Sequence, residues 1–142
     1  MMNYATKPLP RAKSVLVASD DPVALTLLTE RLSTAGNSVR TADTPGGVLL
    51  AMHRDMPDLV LLQPGPRFSG AVLYERLRTH PATRVVPVLL VAPLSALDKF
   101  PIKPEAEHYA KQPIRLDALA SRVQGLLQTA TSGAAELAPP AA

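Results

Sequence analysis

Acidic side chains follow the first apolar run of the chain, where a parallel sheet would present them to a binding site. Asp20 and Asp21 follow the mostly apolar residues 14–18, with Ser19 between. Carboxylate oxygens are the ligands that a hard cation such as Mg²⁺ prefers. Asp21 also precedes Pro22, and Asp followed by Pro at the first helical position is typical of a helix start. Asp20 and Asp21 are therefore either a weak divalent-cation site or a strand-end residue and a helix cap.

Three further predicted strands end in neutral side chains, which are those of Gln63, Ala92 and Gln112. A carboxamide has no anionic oxygen with which to attack an electrophile, and an alanine methyl offers no hydrogen bond. We therefore expect no catalytic residue and no enzymatic activity at these strand ends. Gln63 is interpreted as a hydrogen-bonding loop residue.

The elements that must position these residues alternate along the chain. Apolar runs typical of strands buried on both faces alternate with segments of helical periodicity. The predicted strands are 14–18, 38–42, 59–62, 85–91 and a short one before Pro113, and the predicted helices begin at Pro22, Pro45, Gly70 and Leu116. Such alternation requires a parallel sheet covered on both faces. We predict an α/β fold, a three-layer doubly wound five-stranded parallel sheet with about five helices.

The segment between the fourth and fifth strands is too rich in proline for a helix of ordinary length. It contains Pro93, Pro101 and Pro104, and a proline inside a helix costs about 3 kcal/mol or more. We expect a short turn over 94–99 and irregular chain after it, so that the fourth helix is shortened or irregular. Phe100 and Ile102 are then either exposed apolar contacts for a partner or side chains that fold back onto the sheet.

Composition restricts the class of protein. The 142 residues are enough for one domain, predicted over 13–128, between a flexible arm at 1–12 and a disordered Ala/Pro-rich tail at 129–142. The absence of cysteine excludes disulfides and thiolate metal sites. No apolar run is long enough for a membrane span or resembles a signal peptide, so we expect a cytoplasmic protein without membrane contact.

The net charge of +3 does not indicate nucleic-acid binding. Lys7, Arg11 and Lys13 carry this excess at the start of the chain, and basic and acidic residues are equal in number in the remainder. A neutral body with scattered charges lacks the basic surface that phosphate backbones require.

The order and spacing of four motifs resemble the receiver (CheY-like) domain of two-component response regulators over roughly residues 13–128. The motifs are "VLVASDDP", "PDLVLL", "RVVPVLLVA" and "AEHYAKQPI". In that family an acidic pair and an acceptor Asp hold Mg²⁺, the acceptor takes a phosphoryl group, and a hydroxyl and a lysine bind the phosphoryl oxygens. The resemblance places Gln63, Ala92 and Gln112 at the acceptor, hydroxyl and lysine positions. It implies a degenerate phosphorylation pocket, that of a pseudo-receiver, with Asp20 and Asp21 as the acids that remain.

The same resemblance implies an interaction face around the fifth strand. Tyr109 occupies the position of the family's switch aromatic, and Phe100, Ile102 and Lys111 are its predicted companions on that face. A half-buried tyrosine in an edge strand is the alternative interpretation of Tyr109. Lys111 adjoins Gln112, but successive strand residues point to opposite faces, so we do not expect Lys111 to replace the missing lysine.

These observations favour an atypical receiver that acts in signal transduction as a phosphorylation-independent protein–protein interaction module. Its partner would be a sensor kinase, a regulator or an effector, with a homodimer as a further possibility and no cofactor beyond weakly held Mg²⁺. One alternative is a phosphoacceptor that uses Asp20 or Asp21 in a phosphorelay. Another is a flavodoxin-like domain that binds a small ligand, although "SDDP" offers carboxylates where a phosphate site needs N–H groups.

Overall fold

The computed structural model describes residues 12–137, with side chains through residue 129. Within these residues five strands alternate with four α-helices and two short 3-10 turns. The strands are β1 (Ser14–Ser19), β2 (Ser38–Ala42), β3 (Leu59–Gln63), β4 (Val88–Pro93) and β5 (Tyr109–Gln112). The helices are α1 (Pro22–Thr34), α2 (Pro45–Arg54), α3 (Gly70–Thr79) and α4 (Leu116–Leu137). The 3-10 turns span Leu94–Lys99 and Ala106–His108.

All five strands form one parallel sheet in the order β2-β1-β3-β4-β5. The strand order reverses between β1 and β3, where Ser19 pairs with Gln63. This is the topological switch point, at which open α/β sheets commonly bind ligands. The predicted doubly wound, three-layer architecture is confirmed.

The strands bury side chains on both faces because helices cover both sides of the sheet. Alternate residues of the central strands fall into two separate apolar clusters, as the two-residue period of a strand requires. One cluster joins the sheet to α2 and α3 through Val48, Met52 and Leu77. The other joins it to α1 and α4 through Leu28 and Val123. We call these the α2–α3 face and the α1–α4 face.

Local signals in the sequence start and end the helices. The Thr44 hydroxyl accepts a hydrogen bond from the Gly47 N–H at the start of α2, where Pro45 takes the first helical position. After α1, Gly36 adopts a positive φ of 99°, a conformation that glycine reaches without strain. The chain then turns directly into β2.

Two boundaries differ clearly from the predicted ones. β4 begins at Val88, because Val85 is exposed and Pro87 precedes the ladder. The last helix does not stop near residue 127 but continues to Leu137, so the tail that we expected to be disordered from residue 129 is helical over much of its length. Its alanines and Leu137 are good helix formers, which explains the continuation. The predicted flexible arm lies outside the described residues except for its last position.

The connection from β4 to β5 lacks an α-helix, as the prolines predicted. Its two 3-10 turns leave Phe100 only 3% exposed, packed edge-on against Tyr74 with ring centroids 5.7 Å apart. Of the two interpretations of Phe100, folding back onto the sheet is confirmed, because the ring covers the sheet where a helix would otherwise lie. Its place on an exposed interaction face is therefore wrong. Ile102 is half-buried against the same cluster.

No helix within residues 12–137 combines the length and the hydropathy that crossing a membrane requires.

Candidate functional site

Asp21 acts as the N-cap of α1. One of its carboxylate oxygens accepts hydrogen bonds from the backbone N–H groups of Val23 and Ala24, at 3.0 and 3.4 Å. The buried Ser19 hydroxyl in turn accepts a hydrogen bond from the Asp21 N–H. Capping of this kind satisfies N–H groups that have no partner inside the helix. The side chain of Asp21 is thus directed along the helix start.

Asp20 holds the loop that connects β3 to α3. Its Oδ2 accepts a hydrogen bond from the Arg67 N–H at 2.9 Å. Its Oδ1 lies so close to Gly65 that a Cβ on that residue would be only 2.1 Å away. Only glycine allows the loop backbone to approach the carboxylate this closely. The Asp20 carboxylate is therefore packed against the chain's own backbone.

Gln63 and Gln112 come together at the carboxyl end of the sheet. Both side chains are half-buried and line a cavity of about 150 Å³ on the α1–α4 face. The remaining lining is apolar and includes Leu27, Ile114 and Leu116. The cavity thus offers two neutral carboxamides and an apolar wall, with neither an anionic nucleophile nor a cation among its lining residues.

Ala92 belongs to the opposite face of the sheet. It is 1% exposed and lies in the apolar cluster of the α2–α3 face, together with Phe100. Tyr109 packs against that cluster, and its hydroxyl donates a hydrogen bond of 2.8 Å to the Ala92 carbonyl. Removal of water from this hydroxyl raises the pKa of Tyr109 above its ordinary value. One hydrogen bond therefore fixes the ring in a defined orientation.

Comparisons with known proteins find relatives that match most of this chain. No family model matches the chain. The transcriptional regulatory protein KdpE of Mycobacterium tuberculosis is 33% identical over 128 residues, which are 89% of this chain and 55% of the relative. The DNA-binding dual master transcriptional regulator RpaA of Synechocystis sp. is 31% identical over 118 residues, which are 80% of this chain and 48% of the relative. The chain spans about half the length of the curated relatives it matches.

Solved structures show the same architecture. A protein of Chloroflexus aurantiacus J-10-fl, proposed to be a response regulator, has a TM-score of 0.69 and 25% identity, and the match covers 83% of this chain and 99% of that chain. The CheY-like receiver domain protein of Methanospirillum hungatei JF-1 has a TM-score of 0.69 and 20% identity, over 87% of this chain and 99% of that chain. This chain carries a response regulator receiver (CheY-like) domain. Domains of this family work in two-component signalling.

The five predicted site residues of this receiver domain do not line one common cavity. Gln63 and Gln112 share a cavity, Ala92 faces the other cluster, and both carboxylates are engaged by backbone groups. Lys111 is exposed and alternates with Gln112 along β5, on the other face of the strand. The sequence identified the residue types but not this separation, which depends on the register of β4 and β5.

The donor set does not fit Mg²⁺. This cation prefers near-octahedral oxygen coordination with one or two free carboxylates. Asp21 is committed to α1, Asp20 is committed to the β3–α3 loop, and Gln63 contributes only a neutral carboxamide. The side chains at this edge of the sheet therefore do not offer Mg²⁺ the coordination that it prefers.

Sequence reasoning missed the partners of Asp20. Gly65 and the Arg67 N–H hold its carboxylate across 47 positions of chain, a contact that no local pattern encodes. The short "QPGPRFSG" loop was the available signal, because its Pro-Gly-Pro sequence is typical of a tight turn. Within the described residues, three side chains able to ligate a metal come within 4.8 Å of one another only at the second 3-10 turn, where Glu105 precedes the turn and Glu107 and His108 lie in it.

Proposed function

We propose that this receiver domain is a phosphorylation-independent protein–protein interaction module in a signalling pathway. The observation that carries the proposal is the cavity shared by Gln63 and Gln112. Phosphoryl transfer to a receiver needs an anionic nucleophile beside a cation that neutralises developing charge. Two carboxamides in an apolar cavity supply neither group.

The state of Tyr109 supports the same proposal. In a phosphorylated receiver the hydroxyl position moves towards the phosphoryl group and the switch aromatic follows it. Here the position is Ala92, whose methyl has no attraction for a phosphoryl oxygen, and the Tyr109 hydroxyl is bonded to the Ala92 carbonyl. The domain would then present one constant surface to its partner.

That surface would comprise β5 and the adjoining side of α4. The Arg122 guanidinium of α4 donates hydrogen bonds to the Tyr109 and Glu107 carbonyls at 2.8 and 3.2 Å, which joins helix and strand firmly. Lys111 is exposed on β5, and the half-buried Ile102 packs against the same cluster as Tyr109. A rigid surface loses little conformational entropy on binding, which favours a preformed interface. A sensor kinase, another regulator or an effector would be the partner.

The proposal separates into two measurements. For phosphorylation, the domain is incubated with Mg²⁺ and acetyl phosphate and its intact mass is recorded beside that of a Gln63→Asp, Ala92→Thr, Gln112→Lys variant. We expect no phosphate on the native chain. A phosphate that persists in Gln63→Ala but disappears in Asp20→Ala or Asp21→Ala would establish the phosphoacceptor alternative instead.

For partner binding, the immobilised domain captures proteins from the lysate of its source organism. We expect a signalling protein to be retained equally with and without Mg²⁺ and acetyl phosphate. Lys111→Glu should reduce its retention, whereas Arg31→Glu, an equal charge reversal on the exposed side of α1, should not. Retention that requires the phosphodonor, or that responds only to Arg31→Glu, would contradict the proposal.

A further inference from the structure

An open groove lies between the β3–α3 loop and the first 3-10 turn. Its volume is about 590 Å³, within the range of about 300–1,000 Å³ that is usual for small-molecule sites. It lies on the α2–α3 face, so it is separate from the cavity of Gln63 and Gln112. It also differs from the surface of β5 and α4 assigned above to a protein partner.

The missing helix between β4 and β5 explains why the groove exists. Ala71, Ala92 and Ala96 line it with methyl groups, which leave space that larger side chains would fill. Phe68 and Phe100 also line it, and both rings are almost completely buried. The two rings therefore form a buried floor, and the accessible apolar surface of the groove comes from Ala71, Ala96 and the exposed Pro66 and Pro93.

The charged side chains of the groove all have one sign. Arg67 lies in the loop on one side and Lys99 in the first 3-10 turn on the other, and both are exposed. No acidic residue lines the groove. Within the described part of the chain, neither side chain takes part in a hydrogen bond or an ion pair. The nearby Asp20 carboxylate is already bonded to the Arg67 N–H and packed against Gly65.

We propose that this groove binds a small organic anion with an apolar body. The apolar body would lie on Pro66, Pro93 and the half-buried Ala71 and Ala96, because burial of apolar surface is the main favourable contribution to binding in such sites. The anionic group would lie between Lys99 and Arg67. Charge complementarity makes an anion the favoured occupant over a neutral or cationic molecule of the same shape.

A matched pair of fluorescent probes tests the proposal on the full chain. Anilinonaphthalene sulfonate is an aromatic anion, and N-phenylnaphthylamine has the same rings without the sulfonate. We expect one sulfonate per chain to bind, with a Kd at least about tenfold lower than that of the neutral probe, because one charge contact of modest strength is worth about that factor. Two equal Kd values, or no binding of the sulfonate, would overturn the proposal.

Four variants locate the site. Lys99→Glu should raise the Kd of the sulfonate about tenfold and leave that of the neutral probe nearly unchanged. Ala96→Leu should weaken both probes, because it fills the half-buried part of the groove. Arg84→Glu and Ala118→Leu make the same changes at exposed positions outside the groove and should alter neither Kd.

Circular dichroism in the near ultraviolet confirms that each variant retains its tertiary packing before the probes are added. This control matters because partly unfolded chains bind the sulfonate through exposed apolar surface. Sulfonate binding that survives both Lys99→Glu and Ala96→Leu in folded protein would assign it to another surface and refute the proposal. The outcome of the probe-binding experiment is independent of the phosphorylation and capture experiments.

Discussion

The crossovers before β4 and the crossover after it cover the faces of the sheet in different ways. α1, α2 and α3 each begin beside a glycine or proline signal and cover the sheet with a continuous apolar stripe. The segment from Leu94 to His108 has only two 3-10 turns and covers the sheet with single large side chains, chiefly Phe100. A parallel sheet therefore requires that its face be covered, and a regular helix is one of several ways to achieve this.

The irregular crossover leaves a groove beside Ala92 and Ala96, where its short turns replace a helix. The helical crossovers leave a groove in a different place, of about 700 Å³, between α1, α2 and the edge strand β2. Because the irregular crossover covers the sheet with single large side chains, its contribution to stability depends on few residues.

Phe100→Ala should produce the largest loss of stability. The ring is 3% exposed and contacts Tyr74, so truncation leaves a cavity and lowers the free energy of unfolding by about 3–5 kcal/mol. Val72→Ala in α3 is the comparison, because Val72 is 61% exposed and should change stability by no more than about 0.5 kcal/mol. Urea unfolding measures both. Equal small effects would mean that the irregular crossover does not depend on this ring.

Gly65→Ala should produce the next largest loss of stability, because the Cβ of the new alanine would meet the Asp20 carboxylate. We expect a loss of about 1–3 kcal/mol in the free energy of unfolding, the usual cost of overpacking. The combination with Asp20→Ala should cost less than the sum of the single changes, since removal of the carboxylate relieves the clash. Additive losses in the double-mutant cycle would show that Asp20 and Gly65 are not coupled.

Asp21→Ala should cost about 1 kcal/mol, because α1 loses its N-cap. Asp98→Ala is a matched removal of an exposed carboxylate from the first 3-10 turn, where no side-chain cap bond exists, and should be nearly neutral. Thermal unfolding of the two variants compares a helical crossover start with the irregular crossover. A larger loss of stability in Asp98→Ala than in Asp21→Ala would contradict this prediction.

The ionisation of Tyr109 gives the smallest and most local effect. Desolvation raises the pKa of the folded phenol above the value in the unfolded chain. Above about pH 10 the unfolded state loses this proton first, so the free energy of unfolding should fall as pH rises through the interval between the two pKa values. Below that interval the contribution is constant.

Urea unfolding between about pH 9 and pH 11 measures this slope. Tyr109→Phe should make the slope shallower, and Tyr74 retains its own contribution because burial also raises the pKa of its phenol. Tyr4→Phe, at a position outside the described residues, serves as the control. An unchanged slope in Tyr109→Phe would show that its hydroxyl is solvated in the folded protein.

Much of the fold could be predicted because its signals are local. Asp21 and Thr44 cap α1 and α2 as the residue types indicate, and the prolines after β4 exclude an α-helix there. The site could be predicted only as a set of residue types at strand ends. Whether Gln63 meets Gln112, and whether Ala92 joins them, depends on strand register and pleat.

The sequence by itself determined the alternation of strands and helices, the neutral ends of β3, β4 and β5, and the irregular fourth crossover. Each of these follows from hydrophobic period, side-chain chemistry or the restricted backbone of proline, which act over a few residues. Only the tertiary structure decided that Asp20 is held by Gly65 and Arg67, that Phe100 is buried, and that a groove remains beside Ala96. These outcomes join segments far apart in the chain, and packing between them selects the one arrangement that covers the sheet.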